Sequence, residues 1–188
     1  MKASGSLVAP IADWETKRRW VKEAFAELES AGYTISSGYT AVKDPKRSKF
    51  IYRDSLWGGA DLLGLGVASF SHAKGVHYQN LTEIDDYEKA LDAGKMPTKR
   101  ALRTTAEERM IREFILRMKL GRVEAGHFQE KFGINILERF AAPLAQIHDE
   151  GLLNIEGSAI VLTRDGLLCV DNLLHDFFLP EHVTDKLV

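Results

Sequence analysis

The stretch Asp61–Asn80, DLLGLGVASFSHAKGVHYQN, decides the fold that we predict for this chain. Its apolar run from Leu62 to Val67 is typical of a strand buried on both faces of a sheet. Gly64 and Gly66 interrupt the run, and glycine inside a strand usually marks a close approach of another backbone or a ligand. Polar residues follow, as they do where a strand of an open α/β sheet reaches its ligand-binding edge. We therefore expect residues 66–72 to form one wall of a site; an ordinary core strand with two small residues would show the same pattern.

The order of segments around this stretch resembles that of one enzyme family. A predicted helix ends in AGY at residues 31–33. An extended segment, the DLLGLGVASFS strand, a YQN motif and a C-terminal helical part containing LTRDGLL at 162–168 then follow. The same order is found in the oxygen-independent coproporphyrinogen III oxidases, which are radical S-adenosylmethionine enzymes of haem synthesis. Their relatives include haem chaperones and haem-degrading enzymes. The resemblance extends from about Asp13 onward, and the N-terminal half of the family is missing.

The resemblance implies an α/β (or α+β) fold in two domains. Residues 1–103 would be the C-terminal remnant of a partial β/α barrel, and residues 104–188 a helical, winged-helix-like domain. The local patterns agree, because Asp13 is a plausible N-cap, Gly32 fits the position after the helix end, and a strand follows. Helix, glycine and strand make half of a β/α repeat, which predicts a piece of a parallel sheet. We expect Lys95–Arg103 to be the linker between the domains.

Capping and turn signals divide the second domain into helices and a hairpin. Thr105 and Glu108 form a predicted capping box, and Asn135 caps a later helix in which Pro143 predicts a kink or two short pieces. Residues 156–158 lie between two short apolar runs, which is typical of a β-hairpin. Thr163 is the expected cap of the last helix.

Four residues of the central stretch are candidate cofactor-binding residues: Gly64, Gly66, Ser69 and Phe70. The resemblance implies that the strand matching Gly66–Ser71 lies against S-adenosylmethionine, partly through its backbone. The family often has Ala-Ile-Ser or Ala-His-Ser where this chain has Ser69-Phe70-Ser71. Backbone contacts survive such side-chain changes.

Four further residues are candidates for substrate binding: Arg47, Arg53, Gln79 and Asn80. The family's substrate carries propionate groups, with which arginine pairs well, and Gln79-Asn80 matches a Gln-Asn pair of the family. A solvated basic loop at residues 40–56 and a helix-entry cap at Asn80 remain the alternatives.

The chain has a single cysteine, Cys169. Radical S-adenosylmethionine enzymes hold a [4Fe–4S] cluster with three thiolates of a CxxxCxxC loop, and this sequence cannot supply them. We therefore name no catalytic residue. We expect the chain to be the C-terminal part of such an enzyme, acting with a missing N-terminal half, or a natural half-protein. An isolated chain would be inactive.

Charge and hydropathy exclude other classes of partner. The net charge is −2, and no apolar run approaches 18 residues, so we predict a cytoplasmic protein that binds neither nucleic acid nor membrane. A winged helix raises the alternative of DNA binding. However, residues 105–188 hold 9 Lys and Arg against 14 Asp and Glu, the opposite of what phosphate binding requires.

A binding module is the main alternative to an enzyme. Like the chaperone relatives, the chain could bind haem or a porphyrin without oxidising it, with His72 and His77 as the nearest possible ligands. The six histidines form none of the common metal-binding spacings, so we predict no structural metal site.

Overall fold

A computed structural model describes residues 11–182 of the chain. Helices and short strands alternate there, and the predicted mixture of the two is confirmed. All strand pairs in this part are antiparallel, however, so the fold is α+β within these residues. The predicted piece of a parallel sheet is wrong for them, because tight turns and short connections return each strand beside an antiparallel neighbour.

A long helix and a short hairpin begin the described part. Asp13 caps the helix as predicted, its Oδ1 accepting a hydrogen bond from the Thr16 amide at 2.8 Å. Gly32 follows the helix with φ +83°, where a side chain would be strained. These elements are α1 (Trp14–Ser30), β1 (Thr34–Ser37), β2 (Thr40–Val42) and α2 (Ile51–Trp57).

The run Leu62–Val67 is not the buried strand that we predicted. Leu62 forms a single bridge to His72, while Leu63 and Leu65 are 64% and 80% exposed. The reason is conformational. Gly66 has φ +89° and Ala68 has φ +58°, and neither value is compatible with an extended strand. Residues 62–69, which we call the glycine loop, therefore lie beside a sheet that begins only at Phe70.

That sheet has three antiparallel strands, in the order β3-β4-β5. Lys74 and Gly75 join the first two with φ +49° and +74°, the left-handed pair of a type I′ hairpin turn. The predicted linker Lys95–Arg103 is mostly strand, because residues 98–103 pair with the second strand. The elements are β3 (Phe70–Ala73), β4 (Val76–Asn80), α3 (Ile84–Asp92) and β5 (Thr98–Arg103).

The C-terminal part combines helices with a second three-stranded sheet, in the order β6-β8-β7. Both halves of the Thr105–Glu108 capping box are present. The helix predicted from Asn135 is in two pieces that meet at Phe140. Pro143 lies in the first turn of the second piece, where the backbone N–H that proline lacks would have no partner within the helix. The predicted hairpin is also present. The elements are α4 (Ala106–Met118), β6 (Arg122–Glu124), α5 (Ala125–Phe132), α6 (Ile136–Arg139), α7 (Ala141–Asp149), β7 (Leu153–Glu156), β8 (Ala159–Leu162), α8 (Arg164–Leu168) and α9 (Val170–Leu173).

The main hydrophobic core lies in this C-terminal part. Phe114 of α4 is fully buried, and its ring lies 4.7 Å from Phe140 and 4.9 Å from Phe177, centroid to centroid. Two short 3₁₀ turns, Leu174–Phe177 and Pro180–His182, carry the chain back along α4. Within residues 11–182 no helix has the length and apolar character needed to cross a membrane.

Candidate functional site

One face of the β3-β4-β5 sheet presents an exposed aromatic ring beside an arginine. Phe70 is 46% exposed, stacks on His77 with ring centroids 5.5 Å apart and 10° between planes, and has the Arg100 guanidinium 5.9 Å from its centroid. Gln79 fixes this arginine, because its Oε1 accepts a hydrogen bond from Arg100 Nε at 2.9 Å. Its own amide donates to the Ala68 carbonyl at 3.1 Å. Strand register aligns Phe70, Gln79 and Arg100, and we call them the Phe70 row.

A second row on the same face closes a cavity. Register aligns His72, His77 and Leu102, and each lies two residues from a member of the Phe70 row, so that both rows point to one side. The cavity of about 270 Å³ lies between this histidine row, α4 and the C-terminal turns. Its other lining residues are Thr104, Glu108, Ile111, Arg112, Ile115, Phe178, Leu179 and His182.

The two histidines of this cavity are held in an environment that disfavours their charged form. Burial lowers the pKa of both His72 and His77, and the positive charge of Arg112 lowers each pKa further. Burial also lowers the pKa of Arg112, partly offset by Glu113. The cavity wall therefore combines neutral imidazoles with a partly desolvated cation.

The glycine loop is held by polar side chains of the sheet. Asn80 is 5% exposed, and its Nδ2 donates to the carbonyl oxygens of Gly64 at 3.1 Å and Gly66 at 2.9 Å. The Gly64 amide donates to Ser71 Oγ at 3.0 Å and the Gly66 amide to the Tyr87 hydroxyl at 3.0 Å. Both glycines thus have their backbone N–H and C=O groups engaged within the chain.

The two glycines are required for different reasons. A Cβ at Gly64 would lie 2.3 Å from the Phe70 carbonyl oxygen, so the close approach that glycine permits here is to another backbone. Gly66 has φ +89°, and a Cβ there would meet nothing nearer than Ser69 Oγ at 4.0 Å. Ser69 itself donates to the Leu65 carbonyl at 2.7 Å. Gly64 therefore serves the packing of the loop, whereas Gly66 has open space around it.

The structure separates the two candidate arginines from the rest of the predicted site. Arg53 donates to Thr40 Oγ1 at 2.5 Å and pairs with Asp54 at 2.7 Å, with 15% of its side chain exposed. Arg47 lies in an exposed turn next to Asp44. Neither arginine lines the cavity or the shallow depression of about 250 Å³ over the Phe70 row. The other candidates, by contrast, come together, and these are Gly64, Gly66, Ser69, Phe70, Gln79 and Asn80.

Two cations of this region were missed from the sequence. Arg100 lies in the predicted linker, although the Lys74-Gly75 turn between two alternating segments is a hairpin signal that indicates a sheet here. Arg112 lies on α4 between core positions, and only the packing of α4 against the sheet brings it to the histidine row. No local sequence signal identifies it.

The donor set does not fit an iron–sulfur cluster. Cys169 lies between α8 and α9 and lines neither the cavity nor the depression over the Phe70 row, and burial raises the pKa of its thiol. Thiolates are the required cluster ligands, and the sequence contains one cysteine. Among residues 11–182, no group of three or more His, Cys, Asp or Glu side chains is arranged to hold a metal ion.

Comparison with known proteins shows which proteins this chain is similar to. Residues 104–169 match the HemN C-terminal domain. The oxygen-independent coproporphyrinogen III oxidase of Helicobacter pylori strain J99 is 29% identical over 119 residues, which are 61% of this chain and 26% of that enzyme. The enzyme of the same name from Pseudomonas aeruginosa is 29% identical over 130 residues, which are 65% of this chain and 28% of that enzyme.

A solved structure extends the likeness in fold. Coproporphyrinogen III oxidase (HemN) from Escherichia coli, described as a radical SAM enzyme, superposes with a TM-score of 0.64 at 21% identity. The match covers 84% of this chain and 39% of that chain. This chain thus spans about a quarter of the curated relatives. The resemblance drawn from the sequence is confirmed: the chain is similar to the C-terminal part of the oxygen-independent coproporphyrinogen III oxidases, and residues 104–169 match their HemN C-terminal domain.

Proposed function

We propose that this chain is the C-terminal portion of a radical S-adenosylmethionine oxidoreductase that oxidatively decarboxylates tetrapyrrole propionates in haem synthesis. The observation that carries the proposal is the exposed Phe70 row beside the glycine loop, next to a segment that matches the HemN C-terminal domain. In this proposal the chain has two parts. Residues 1–103 complete a cofactor-binding barrel, and residues 104–188 form a lid over the substrate.

We assign a role to each residue from the groups that its contacts within the chain leave free to bind a ligand. Gly64 and Gly66 shape the loop, and their polar backbone groups are already engaged by Asn80, Ser71 and Tyr87. The Phe70 ring is free to contact an adenosyl group, and we assign it that contact, with Ser69 fixing the loop before it. Bound S-adenosylmethionine would supply the radical chemistry of the family. Gln79 holds Arg100 towards the same face, where a substrate carboxylate would pair with it.

The [4Fe–4S] cluster belongs to a different stretch of polypeptide in this proposal, because the chain lacks the thiolates. Several large apolar side chains of the N-terminal part are exposed without a covering layer among the described residues, including Leu63, Leu65 and Ile51. Exposed apolar area of this kind is typical of an interface. We propose that a cluster-bearing N-terminal half covers it. A cytoplasmic location remains a prediction.

A chimaeric enzyme tests the proposal. This chain would replace the matching 26% of the Helicobacter pylori oxidase, and the assay would measure decarboxylation of coproporphyrinogen III and formation of 5′-deoxyadenosine. We expect both activities to be retained, and Phe70→Ala or Arg100→Gln to lower kcat/KM at least ten-fold. Ile155→Ala, an exposed change on β7, is the matched control.

The isolated chain provides the negative arm of this test. With reductant and S-adenosylmethionine it should form no 5′-deoxyadenosine. Cofactor cleavage by the isolated chain would contradict the proposal, as would a folded chimaera whose activity is indifferent to Phe70 and Arg100.

A second candidate function is haem or porphyrin binding without catalysis. The observation in its favour is the parallel stack of Phe70 and His77 with Arg100 at its side, a flat surface next to a cation. A haem titration followed by the Soret band tests it, with His72→Ala and His77→Ala as variants. A spectrum identical to that of free haem would eliminate this candidate.

A further inference from the structure

The cavity beneath the histidine row contains a buried polar atom that lacks a partner. His72 is 7% exposed, and its Nδ1 forms no hydrogen bond within residues 11–182. Leaving such a group unpaired destabilises the folded state. The His72 ring lines the cavity, but Nδ1 itself has less than 1 Å² of accessible surface, so a bound molecule would reach this nitrogen only after the ring rotates.

A cation on the same wall has no ion-pair partner among residues 11–182. Arg112 is partly buried, and the hydrogen bonds and ion pairs found between described residues do not include its guanidinium. Glu113, the acidic group that acts on it, is already bonded to Arg117, His127 and Lys131. A partly desolvated arginine with no counter-ion in the described part of the chain favours an anionic ligand.

The other lining residues indicate that the rest of the ligand is apolar. Leu102, Ile111, Ile115, Phe178 and Leu179 make most of it apolar. Glu108 Oε1 lies 2.8 Å from His182 Nε2, and Glu108 Oε2 accepts a hydrogen bond from the Thr105 amide at 2.6 Å, so both carboxylate oxygens are already engaged within the chain. A cavity of about 270 Å³ with one Arg or Lys among its described lining residues suits a monoanion better than a dianion such as phosphate.

From this arrangement we propose that the cavity between the histidine row and α4 binds a single carboxylate group carried on a small apolar body. Arg112 pairs with the carboxylate, the His72 ring forms the adjacent part of the wall, and the apolar side chains contact the body of the ligand. The site is formed by this chain alone, so the proposal does not depend on radical chemistry or on the cofactor contacts of the Phe70 row.

A matched pair of probes tests the site in the full 188-residue chain. 3-Phenylpropionate and 3-phenyl-1-propanol share an apolar body and differ in charge. In ¹H–¹⁵N NMR titrations we expect saturable shifts for the amides of His72, Leu102, Arg112 and Phe178 with the carboxylate, and at least ten-fold weaker binding of the alcohol. 2-Phenylethyl phosphate should bind more weakly than the carboxylate.

Single substitutions then identify the side chains that bind the carboxylate. Arg112→Gln should weaken binding of 3-phenylpropionate at least ten-fold, and His72→Leu should weaken it less. Arg109→Gln is the matched control on the same helix, since Arg109 donates to the Thr104 carbonyl and does not line the cavity; it should change the affinity by less than two-fold.

Thermal unfolding followed by circular dichroism identifies any variant that fails to fold, and His72→Leu then replaces an unfolded Arg112→Gln as the test. Equal affinity for the acid and the alcohol would overturn the proposal. So would equal losses in Arg112→Gln and Arg109→Gln, tighter binding of the phosphate, or shifts confined to residues outside the cavity.

Discussion

Asn80 stabilises the glycine loop through a single amide nitrogen, which donates to the carbonyls of Gly64 and Gly66. Its backbone N–H also donates to the Ser69 carbonyl at 2.9 Å. One buried residue thus holds the loop at Gly64 and Gly66 through its side chain and at Ser69 through its backbone. Asn80 therefore positions Phe70 indirectly: its side chain contacts the loop and does not touch the aromatic ring.

Replacing Asn80 should destabilise the protein more than its position near a strand end suggests. We expect Asn80→Ala to lower the free energy of unfolding by about 2–4 kcal/mol, because two carbonyls lose a buried donor. Gln79→Ala, which removes more exposed hydrogen bonds, should cost less than about 1 kcal/mol. Urea unfolding measures both, and equal losses would contradict this role for Asn80.

Gly59 packs against the buried carboxylate of Glu113. Gly59 has φ +88°, and a Cβ there would lie 2.1 Å from Glu113 Oε2. Gly59→Ala should therefore cost more than about 2 kcal/mol, since backbone strain is added to displacement of a carboxylate bonded to an arginine, a lysine and a histidine. Gly94→Ala is the control, because Gly94 also has positive φ but open space around it. Its cost should be about 1 kcal/mol. Thermal denaturation of the two variants gives the comparison, and a smaller loss for Gly59 would refute the packing argument.

Among the elements, α4 presents different groups to different neighbours. Phe114 and Met110 enter the core, Arg112 and Glu108 face the cavity, and Glu113 is bonded to cations of α4 and α5. The β3-β4 hairpin is the opposing element, and it brings His72 and His77 against α4 in neutral form. The cavity is therefore formed where the β3-β4-β5 sheet, α4 and the C-terminal turns meet, and these segments are separate in the order of the chain.

Burial of His72 in the β3-β4 hairpin should make the free energy of unfolding depend on pH below neutrality. Burial, followed by the charge of Arg112, holds the pKa of His72 below its ordinary value of 6.5. As the pH falls below about 6.5, the unfolded chain takes up this proton first. The contribution of His72 is therefore complete above pH 6.5 and is lost as the pH falls through its lower folded pKa.

His72→Gln should make the dependence of unfolding free energy on pH shallower between pH 7 and 5. His148→Gln, at an exposed position on α7, should leave the slope unchanged. Urea titrations at several pH values measure the slopes. A slope unaffected by His72→Gln would show that burial of this histidine is not the cause.

For the whole molecule, the hydrophobic core is concentrated in residues 104–182, while the N-terminal part adds smaller buried groups such as Phe25 and Val42. Global stability should therefore depend on Phe114 and its ring partners. The exposed apolar surface lies mainly on the N-terminal part, where the proposed partner would bind.

Replacing one phenylalanine in each part compares their contributions to the free energy of unfolding. Phe114→Ala should lower the free energy of unfolding by about 3–5 kcal/mol, because it leaves a cavity in the core. Phe70→Ala, at a ring 46% exposed, should cost less than about 1.5 kcal/mol. Thermal and urea unfolding provide both values. A large loss at Phe70 would mean that its ring serves stability, which would weaken its assignment to a ligand.

Local sequence signals determined the features of this protein whose physics is local. The caps at Asp13, Thr105 and Asn135, the break near Pro143 and the β7-β8 hairpin all depend on hydrogen bonds and dihedral angles within a few residues, and they were predicted. The family resemblance also came from the sequence, because it depends on the order of such segments.

Only the tertiary structure decided the form of the site. Leu62–Val67 has the composition of a buried strand, but the left-handed conformations at Gly66 and Ala68 and the bonds from Asn80 make it a loop. Strand register placed Arg100 beside Phe70, and helix packing placed Arg112 beneath His72. Arg53 was instead engaged by Thr40 and Asp54. These contacts join residues far apart in the chain, and their energies depend on which surfaces meet, which neither composition nor local periodicity encodes.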